Sequence, residues 1–406
     1  MSDTFCPLPF THLYIRPNGE YQPCCRFANG RSFEKIHSYE DLDSVLKNSK
    51  QLNTLRQQMI SGQYIPGCKS CYLEEESSGQ SMRTGEMDRW GGFDDLYDKE
   101  PRVTNVEITF GNYCNLACRI CGSGLSTSWQ DDDKKISNLY DRHYVPERLN
   151  VKKDWNPKDF VNVEKLKVTG GEPMLHPDFL AFLDNIIDSG VAGNIEVQIF
   201  TNTSFVPKKH LLDRLSKFKQ MGVCLSIDGT GSVQEYSRHN STWDVVQEAT
   251  KKWLTFENDY KENVTVNFAP TISLYNIFNV MELVDWFIEL RKSVLHDSST
   301  FTNCTWNVTT YPSYMDIKHL PNKEVIRDKL IAYSSKFESN LRSYKELIYR
   351  IIDRLNENGN KREIITFVQY NKDLDSLRNQ NFVETFPELY SQIKSIWDNV
   401  DGKLDK

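Results

Sequence analysis

The sequence of 406 residues has no long apolar run and no excess of positive charge. No stretch approaches the roughly 20 apolar residues that a membrane-spanning helix needs, so no membrane partner is expected. Acidic residues outnumber basic ones by 56 to 49, and the net charge of −7 argues against a broad surface for nucleic acid. The first residues lack the basic stretch and apolar core of a secretory signal. A cytoplasmic location is therefore expected.

Several common catalytic patterns are also missing. The sequence contains no Ser-His-Asp spacing typical of hydrolases, no glycine-rich phosphate loop and no zinc-protease motif. It shows neither internal repeats nor low-complexity tracts. The ten cysteines are the most informative residues that remain. Eight of them lie in three groups: Cys6 with Cys24 and Cys25, Cys68 with Cys71, and Cys114 with Cys118 and Cys121. In a reducing compartment, clustered cysteines indicate metal sites rather than disulfides.

The chain divides by pattern into three regions. Residues 1–100 carry cysteines and many turn residues, residues 101–319 alternate strand-like with helix-like segments, and residues 320–406 are charged and mostly helical. The alternation predicts an α/β fold with a parallel sheet, either barrel-like or open and doubly wound. The six strand candidates are residues 103–110, 165–170, 195–202, 222–229, 264–272 and 304–312.

Local patterns predict further elements. Pro17-Asn18-Gly19 between two alternating runs predicts a β-hairpin. Apolar residues at near-helical spacing predict one helix over about residues 39–60. Residues 122–160 are polar and broken in pattern, which predicts an irregular insertion.

The third cysteine group directly follows the first strand of the alternating region and reads Cys114-Asn-Leu-Ala-Cys118-Arg-Ile-Cys121. Three thiolates at this spacing can bind three irons of a [4Fe–4S] cluster. The fourth iron is then left for a small molecule that offers an amine and a carboxylate. A zinc site is the alternative. A structural zinc site requires a fourth ligand nearby, however, and the next histidine, His143, does not follow the cysteines at a spacing familiar from zinc sites.

This segment resembles the CxxxCxxC signature of the radical S-adenosylmethionine (SAM) superfamily, and the resemblance extends over about residues 100–312. It implies a partial (β/α)6 barrel, similar to a TIM barrel, with SAM and the cluster at the C-terminal ends of the strands. The family's GGEP segment, which binds the methionine amine of SAM, is matched by Gly170, Gly171, Glu172 and Pro173. Family segments that line the SAM pocket are matched by Thr201, Asn202, Ser226 and Asp228.

Arg238 resembles an arginine that pairs with the SAM carboxylate, with a solvated surface arginine as the alternative. One position departs from the family pattern. Many members have an aromatic residue just before the third cysteine, where this chain has Ile120, so stacking on adenine is not implied there. Cys224 and Cys304 lie in strand candidates and are expected to be buried small side chains.

Cys6 and Cys24, with a glycine between them, resemble the opening of the SPASM and twitch auxiliary-cluster modules, here placed before the barrel. The predicted hairpin would bring these two cysteines together. The resemblance implies that Cys68 and Cys71 complete the ligands of a second [4Fe–4S] cluster, as in the single-cluster twitch form. Cys25 is either a free thiol or a substitute for Cys24. A zinc knuckle with four cysteine ligands is the alternative for the whole set.

The resemblance implies an enzyme in which the reduced cluster cleaves SAM to a 5′-deoxyadenosyl radical that abstracts hydrogen from a substrate C–H bond. A flavodoxin- or ferredoxin-type reductant is the expected electron donor. The substrate is either a peptide or a small molecule such as a sugar, nucleoside or amine. A non-catalytic iron–sulfur redox carrier and a zinc-stabilised interaction protein are further alternatives. Candidate substrate contacts are Arg83, Trp90, Trp129 and Tyr140.

Overall fold

The computed structural model describes residues 4–28, 34–37, 40–90, 100–151, 154–295, 304–337 and 341–404. The chain forms two compact units. Unit 1 comprises residues 1–112, 149–199 and 213–221, and unit 2 comprises residues 113–148, 200–212 and 222–406. The three-region domain organisation remains a prediction from the sequence.

The strands lie where polar and apolar residues alternate or where several apolar residues follow one another. They are β1 (His12–Ile15), β2 (Tyr21–Gln22), β3 (Asn105–Thr109), β4 (Ala117–Cys118), β5 (Lys165–Thr169), β6 (Glu196–Thr201), β7 (Gln220–Leu225), β8 (Arg238–His239), β9 (Val264–Phe268), β10 (Thr271–Ile272) and β11 (Asn307–Val308).

The helices alternate with the strands of the central region and dominate the C-terminal region, as predicted. Those in the described ranges are α1 (Leu8–Thr11), α2 (Leu42–Asn48), α3 (Lys50–Ile60), α4 (Lys69–Ser78), α5 (Met82–Arg89), α6 (Gln130–Ile136), α7 (Phe179–Asp188), α8 (Lys209–Leu215), α9 (Gly231–Ser237), α10 (Trp243–Asp259), α11 (Val280–Leu295), α12 (Lys323–Ser334), α13 (Arg342–Asn356), α14 (Lys361–Arg378), α15 (Phe382–Thr385) and α16 (Pro387–Trp397). None of these helices is long and apolar enough to cross a membrane.

The main sheet has the strand order β2-β1-β3-β5-β6-β7-β9. The pairs β1–β3, β3–β5 and β5–β6 are parallel, which confirms the predicted α/β class with a mostly parallel sheet. Along the chain, β6 and β7 each begin in unit 1 and end in unit 2. The last strand candidate, residues 304–312, contributes only β11, which pairs with β10 in a separate two-stranded sheet.

The N-terminal region supplies an edge of the main sheet. β1 and β2 form the predicted antiparallel hairpin, and Gly19 in its turn has φ +82°, a conformation that favours glycine. β1 then pairs in parallel with β3, so that His12 lies opposite Asn105 and Ile15 opposite Ile108. The first cysteine-bearing segment and the first α/β strands therefore share one sheet in unit 1.

Two local predictions were wrong in detail. The helix expected over residues 39–60 is split at Ser49, whose backbone is extended and whose hydroxyl caps α3 by accepting from the Leu52 amide. Serine favours this cap because its side chain satisfies an amide that has no partner within the helix. The expected irregular insertion contains helix α6, with aspartates in its first turn and lysines in its last. That order of charges complements the helix dipole.

An aromatic cluster forms part of the core of unit 1. The ring of Phe182 lies 5.1 Å from that of Phe110, 5.3 Å from Trp155 and 5.7 Å from Phe160, in edge-on geometry. Phe182 is 1% exposed.

We expect Phe182→Ala to lower the free energy of unfolding by about 3–5 kcal/mol, because truncation of a buried phenylalanine loses burial and leaves a cavity. Val161→Ala is the control, since Val161 is 63% exposed and should change stability little. Urea unfolding followed by circular dichroism measures both. Equal midpoints for the two variants would contradict the expectation.

Candidate functional site

The cysteines of the third group lie together in a loop of unit 2. Cys118 is in β4, which pairs antiparallel with β8, so that Cys118 lies opposite Arg238. Cys114 and Cys118 are buried and Cys121 is half-buried. The Cys114 sulfur accepts from the side-chain amide of Asn202 at 3.5 Å. The structure therefore brings the three predicted thiols together with two of the predicted SAM-site residues.

The thiols and the arginine influence one another. The hydrogen bond with Cys121 lowers the pKa of Cys118 to about 7 against the opposing effect of burial, and the Arg238 guanidinium contributes to the lowering. The same hydrogen bond, together with burial, raises the pKa of Cys121. Positive charge beside a thiol favours the thiolate, which is the form that binds iron.

Side chains from outside the cysteine loop hold its backbone. An irregular buried loop leaves carbonyl groups that regular secondary structure would have paired. The donors that satisfy them are Ser126 to Leu116 O (2.6 Å), Trp129 Nε1 to Cys118 O (2.7 Å), Ser128 to Cys114 O (2.9 Å), Tyr370 to Arg119 O (2.9 Å) and Arg378 to Ala117 O (2.9 Å). The loop conformation is thus fixed through its backbone.

Arg119, between the second and third cysteines, is fully buried. Its guanidinium donates to Asn371 (2.8 Å), Asp375 (2.6 Å) and Gln380 (3.0 Å), and it lies 3.7 Å from the ring centroid of Tyr236. Helix α14 and the residues after it therefore anchor the middle of the cysteine loop. These residues could not be predicted from the sequence, because no spacing signal connects positions about 250 residues apart.

Trp129 and Tyr140 do not have the expected role of substrate contacts. Trp129 is fully buried between the guanidinium groups of Arg142 and Arg378, at 4.5 and 4.3 Å from its ring centroid. Tyr140 is 6% exposed and donates its hydroxyl hydrogen bond to Asp373. Both aromatic residues belong to the core beneath the cysteine loop.

The residues predicted around SAM in unit 2 are mostly buried. Arg238 is 7% exposed, which rules out the alternative of a solvated surface arginine, and its Nε lies 2.7 Å from Asp228. The Ser226 amide donates to the Thr201 carbonyl at 2.9 Å. Thr203, directly after Asn202, is buried with φ +59°. Such backbone strain in a β-branched residue is found mostly at functional sites.

The GGEP segment forms a tight turn after β5 in unit 1. The Gly171 amide donates to the Gly111 carbonyl at 2.9 Å. Gly170 has φ +143°, and a Cβ there would lie 3.0 Å from the same oxygen, so a larger residue does not fit. Glu172 is fully buried and accepts from the Met174 amide at 3.3 Å. A buried carboxylate beside a glycine turn fits the ammonium group of a ligand.

Four cysteines of the first two groups, all except Cys25, also meet in unit 1. Cys6 precedes α1, Cys24 follows β2, and Cys68 and Cys71 lie at the start of α4. Burial raises the pKa of Cys6, and the neighbouring thiols of Cys24, Cys68 and Cys71 raise it further. These four residues line one pocket, together with Arg26.

The two loops that carry these cysteines are joined at Gly67. The Ala28 amide donates to the Gly67 carbonyl at 3.0 Å. A Cβ on Gly67 would lie 2.6 Å from the Phe27 ring, so only glycine allows this approach. Cys25 lies elsewhere, since it is exposed and its thiol is hydrogen-bonded to Glu107. This arrangement favours Cys24 over Cys25 in the four-thiol set.

The donors at both sites fit iron–sulfur clusters. Each set is made of thiols alone, and cysteine thiolates are the usual ligands of [4Fe–4S] clusters. In the described ranges no three Cys, His, Asp or Glu side chains are placed to hold one metal ion. Zinc needs all its sulfurs about 2.3 Å from one centre, whereas each cysteine of a cluster binds a different iron, so the sulfurs need not converge.

Two family models match segments of this chain. Residues 108–267 match the radical SAM superfamily, and residues 6–72 match SPASM, an iron–sulfur cluster-binding domain. These matches confirm the predicted family, cofactors and N-terminal position of the auxiliary module. Cys224 and Cys304, outside both thiol sets, are buried as expected.

Curated relatives are distant. The chain is 26% identical over 191 residues to a probable GTP 3′,8-cyclase of Methanocaldococcus jannaschii, covering 46% of this chain and 56% of that protein. It is 22% identical over 264 residues to a GTP 3′,8-cyclase of Campylobacter lari, covering 64% of this chain and 72% of that protein. The chain thus spans little more than half of the first relative.

Solved structures are similar only at a low level. The structure of anSMEcpe with bound AdoMet has a TM-score of 0.34 and 17% identity, covering 50% of this chain and 51% of that chain. Streptococcus suis SuiB bound to S-adenosylmethionine has a TM-score of 0.34 and 14% identity, covering 77% and 70%. TM-scores at this level do not identify the substrate of this chain.

We expect Asp375→Ala to destabilise the protein by up to about 3–5 kcal/mol, because it removes a partner of the buried Arg119 charge. Iron content after anaerobic reconstitution should fall as well. The control is Asp398→Ala, which removes a carboxylate that pairs with Lys394 at the surface. Urea unfolding and iron analysis check both variants, and an Asp375→Ala protein with unchanged midpoint and iron would contradict the anchoring role.

We expect Gly67→Ala to reduce the iron content by about half, through loss of the auxiliary cluster alone, because the added methyl group clashes with Phe27. Gly193→Ala is the matched control in unit 1, where a Cβ meets nothing within 4 Å. Iron and acid-labile sulfide are the measurements. Full iron content in Gly67→Ala would show that the close approach is not needed.

Proposed function

Because this chain belongs to the radical SAM superfamily and carries an iron–sulfur SPASM module ahead of its radical SAM domain, we propose that it cleaves SAM reductively and abstracts hydrogen from a C–H bond of a peptide. One observation carries the proposal. Cys114, Cys118 and Cys121 lie together in a loop, and side chains from other segments donate hydrogen bonds to the backbone carbonyls of that loop. We assign these thiols to a [4Fe–4S] cluster. When bound and reduced, the cluster supplies the electron that converts SAM to methionine and a 5′-deoxyadenosyl radical.

The chain's own residues bind and orient SAM in this proposal. The Glu172 carboxylate and the backbone carbonyls of the Gly170–Gly171 turn are the acceptors that we assign to the methionine amine. The Nε of Arg238 is engaged by Asp228, so the terminal guanidinium nitrogens are the donors that we assign to the SAM carboxylate. We further assign Thr201, Asn202 and Ser226 to the lining of the pocket. Burial of these groups excludes water, which strengthens each charged contact.

We assign the second cluster to Cys6, Cys24, Cys68 and Cys71. Its proposed part is to accept an electron from the substrate or to orient the substrate. The pairing of β1 with β3 supports this assignment, because it makes the cysteine-bearing segment part of the same sheet as the first α/β strands. A flavodoxin- or ferredoxin-type protein would supply electrons from outside.

A nucleotide is the second candidate substrate. The curated relatives in sequence are named GTP 3′,8-cyclases, and this likeness favours a nucleoside triphosphate. The SPASM match at residues 6–72 supports the peptide instead, since modules of this kind often occur in peptide-modifying enzymes.

After anaerobic reconstitution and reduction, we expect the protein to convert SAM to 5′-deoxyadenosine, quantified by mass spectrometry. Cys118→Ala should abolish the product, because the cluster loses a ligand. Cys224→Ala is the matched control, since Cys224 is fully buried in β7 and outside both thiol sets. Equal product from Cys118→Ala would overturn the assignment of the cluster. No product from wild-type protein with full, reducible clusters, and no effect of SAM on their EPR signal, would overturn the proposed activity.

A further inference from the structure

A cavity of about 370 Å³ in unit 2 is lined by residues of the loop after β7 and of the first turns of α10 and α11. Two tryptophans face it, Trp243 from α10 and Trp286 from α11, and both are half-buried. Their rings meet at 53° with centroids 4.7 Å apart, so they form a corner and not a flat stack. Small-ligand sites have volumes of roughly 300–1,000 Å³, and this cavity is within that range.

The carboxylate of Glu282 also lines the cavity, and two neighbours fix its position. One of its oxygens accepts from the Thr230 hydroxyl at 2.7 Å, and the other accepts from the side-chain amide of Asn279 at 3.1 Å. Asn279 in turn accepts from the Thr230 amide at 2.9 Å. A carboxylate can accept about four hydrogen bonds, so Glu282 keeps capacity for a further donor. Glu282 is exposed, and among the described residues its side chain bonds to Thr230 and Asn279 without forming an ion pair.

The segments that line the cavity carry an excess of negative charge. Residues 226–250 and 270–290 contain seven carboxylates: Asp228, Glu235, Asp244, Glu248, Glu282, Asp285 and Glu289. The same two segments contain a single lysine or arginine, Arg238. Arg238 is buried and already paired with Asp228, so it does not neutralise the cavity.

Cations from adjoining segments do not neutralise it either. Arg291 and Lys336 are each paired with a carboxylate outside the cavity lining. Lys251 and Lys252 lie about two helical turns beyond the cavity along α10, and Lys292 lies nearly three turns beyond the lining carboxylate of α11. The cavity therefore has a negative charge without a partner beside two aromatic rings.

This combination of groups is suited to an organic cation. A cation within about 6 Å of an indole face is attracted by the ring, and a carboxylate supplies the opposite charge. The protein already uses an indole in this way, since Arg142 and Arg378 lie 4.5 and 4.3 Å from the ring centroid of Trp129. A triphosphate would be repelled by the surrounding carboxylates.

We propose that this cavity binds a lysine side chain of the peptide substrate, with the ammonium group at Glu282 and the alkyl stem against the two indole rings. Each carboxylate oxygen already accepts one bond from the cavity wall, which suits a point charge better than the two-pronged guanidinium of arginine. The assignment rests on the proposed function, which it deepens by naming a basic residue in the peptide.

The cavity shares a loop with residues assigned to SAM. Thr230 lies two residues after Asp228, whose carboxylate is 2.7 Å from the Nε of Arg238. Asn276, from the segment that leads into α11, donates to the Asp228 carbonyl at 2.8 Å. A lysine bound in the cavity would therefore contact the same loop, residues 226–230, that contributes to the proposed SAM pocket.

The main probe is the blocked tripeptide N-acetyl-Ala-Lys-Ala-amide, tested by ligand-observed NMR against reconstituted full-length protein. We expect it to bind, and we expect the analogue with uncharged norleucine in place of lysine to bind at least about tenfold more weakly. Glu282→Gln should weaken the lysine tripeptide about tenfold, and Trp286→Leu about threefold to fivefold. The arginine analogue and n-butylamine, which has the ammonium group without the peptide, should both bind more weakly than the lysine tripeptide.

Two variants serve as matched controls, and circular dichroism checks that all variants fold. Asp353→Asn removes an exposed carboxylate of α13, and Trp397→Leu removes a half-buried tryptophan of α16. Neither residue lines the cavity, so neither variant should change binding of the lysine tripeptide.

Several outcomes would overturn the proposal: no binding of the lysine tripeptide, equal binding of the norleucine analogue, or unchanged binding in folded Glu282→Gln and Trp286→Leu. Tighter binding of the arginine analogue would contradict the choice of lysine, and equal binding of n-butylamine would assign the cavity to a free amine. The 5′-deoxyadenosine yield of the wild type is measured in parallel. Product without tripeptide binding refutes only this assignment, whereas the absence of product together with the absence of a SAM effect on EPR refutes the proposed activity.

Discussion

The structure of unit 2 depends on holding a three-cysteine loop whose regular strand pairing is limited to two residues of β4 and two of β8. Carbonyl groups of residues 114–119 receive hydrogen bonds from side chains, among them Trp129, Tyr370 and Arg378. Because the loop is fixed through its backbone, its thiols need not act as structural hydrogen-bonding groups. The most distant anchors come from α14, about 250 residues later in the chain. The C-terminal helices are therefore part of the site, although they contribute none of the assigned ligands.

Arg119 shows that this loop requires a buried positive charge to be compensated. A buried guanidinium is costly unless a carboxylate neutralises its charge and acceptors bind its N–H groups. For Arg119, Asp375 supplies the negative charge, Asn371 and Gln380 supply further acceptors, and Tyr236 supplies an aromatic face. Its Nε has no hydrogen-bond partner among the described residues. Arg238 is compensated in the same way by Asp228. Positive charge is thus placed beside the thiols while each arginine keeps a carboxylate partner.

In unit 1, one sheet contains both the first cysteine-bearing segment and the first α/β strands. β1 belongs to the cysteine-bearing segment and pairs in parallel with β3. Its apolar residues extend the core, while His12 and Tyr14 extend the polar face of β3 and β5. The auxiliary module, which precedes the radical SAM domain in sequence, thereby shares a sheet with the first strands of the α/β region.

The sequence by itself determined the family and the parallel α/β sheet and predicted the two thiol sets up to the choice between Cys24 and Cys25, because cysteine spacing and strand–helix alternation are local patterns that can be recognised without knowledge of tertiary contacts. The hairpin at Asn18-Gly19 was predictable for the same reason. Only the tertiary structure decided that Trp129 is a core residue, that Cys25 lies beside Glu107, and that Arg119 is bound by α14. These outcomes depend on pairings between distant segments, and no periodicity in the chain records which segments meet. The chemical role of each side chain therefore depends on its burial and on its charged partners at these contacts between segments, and not on its residue type alone.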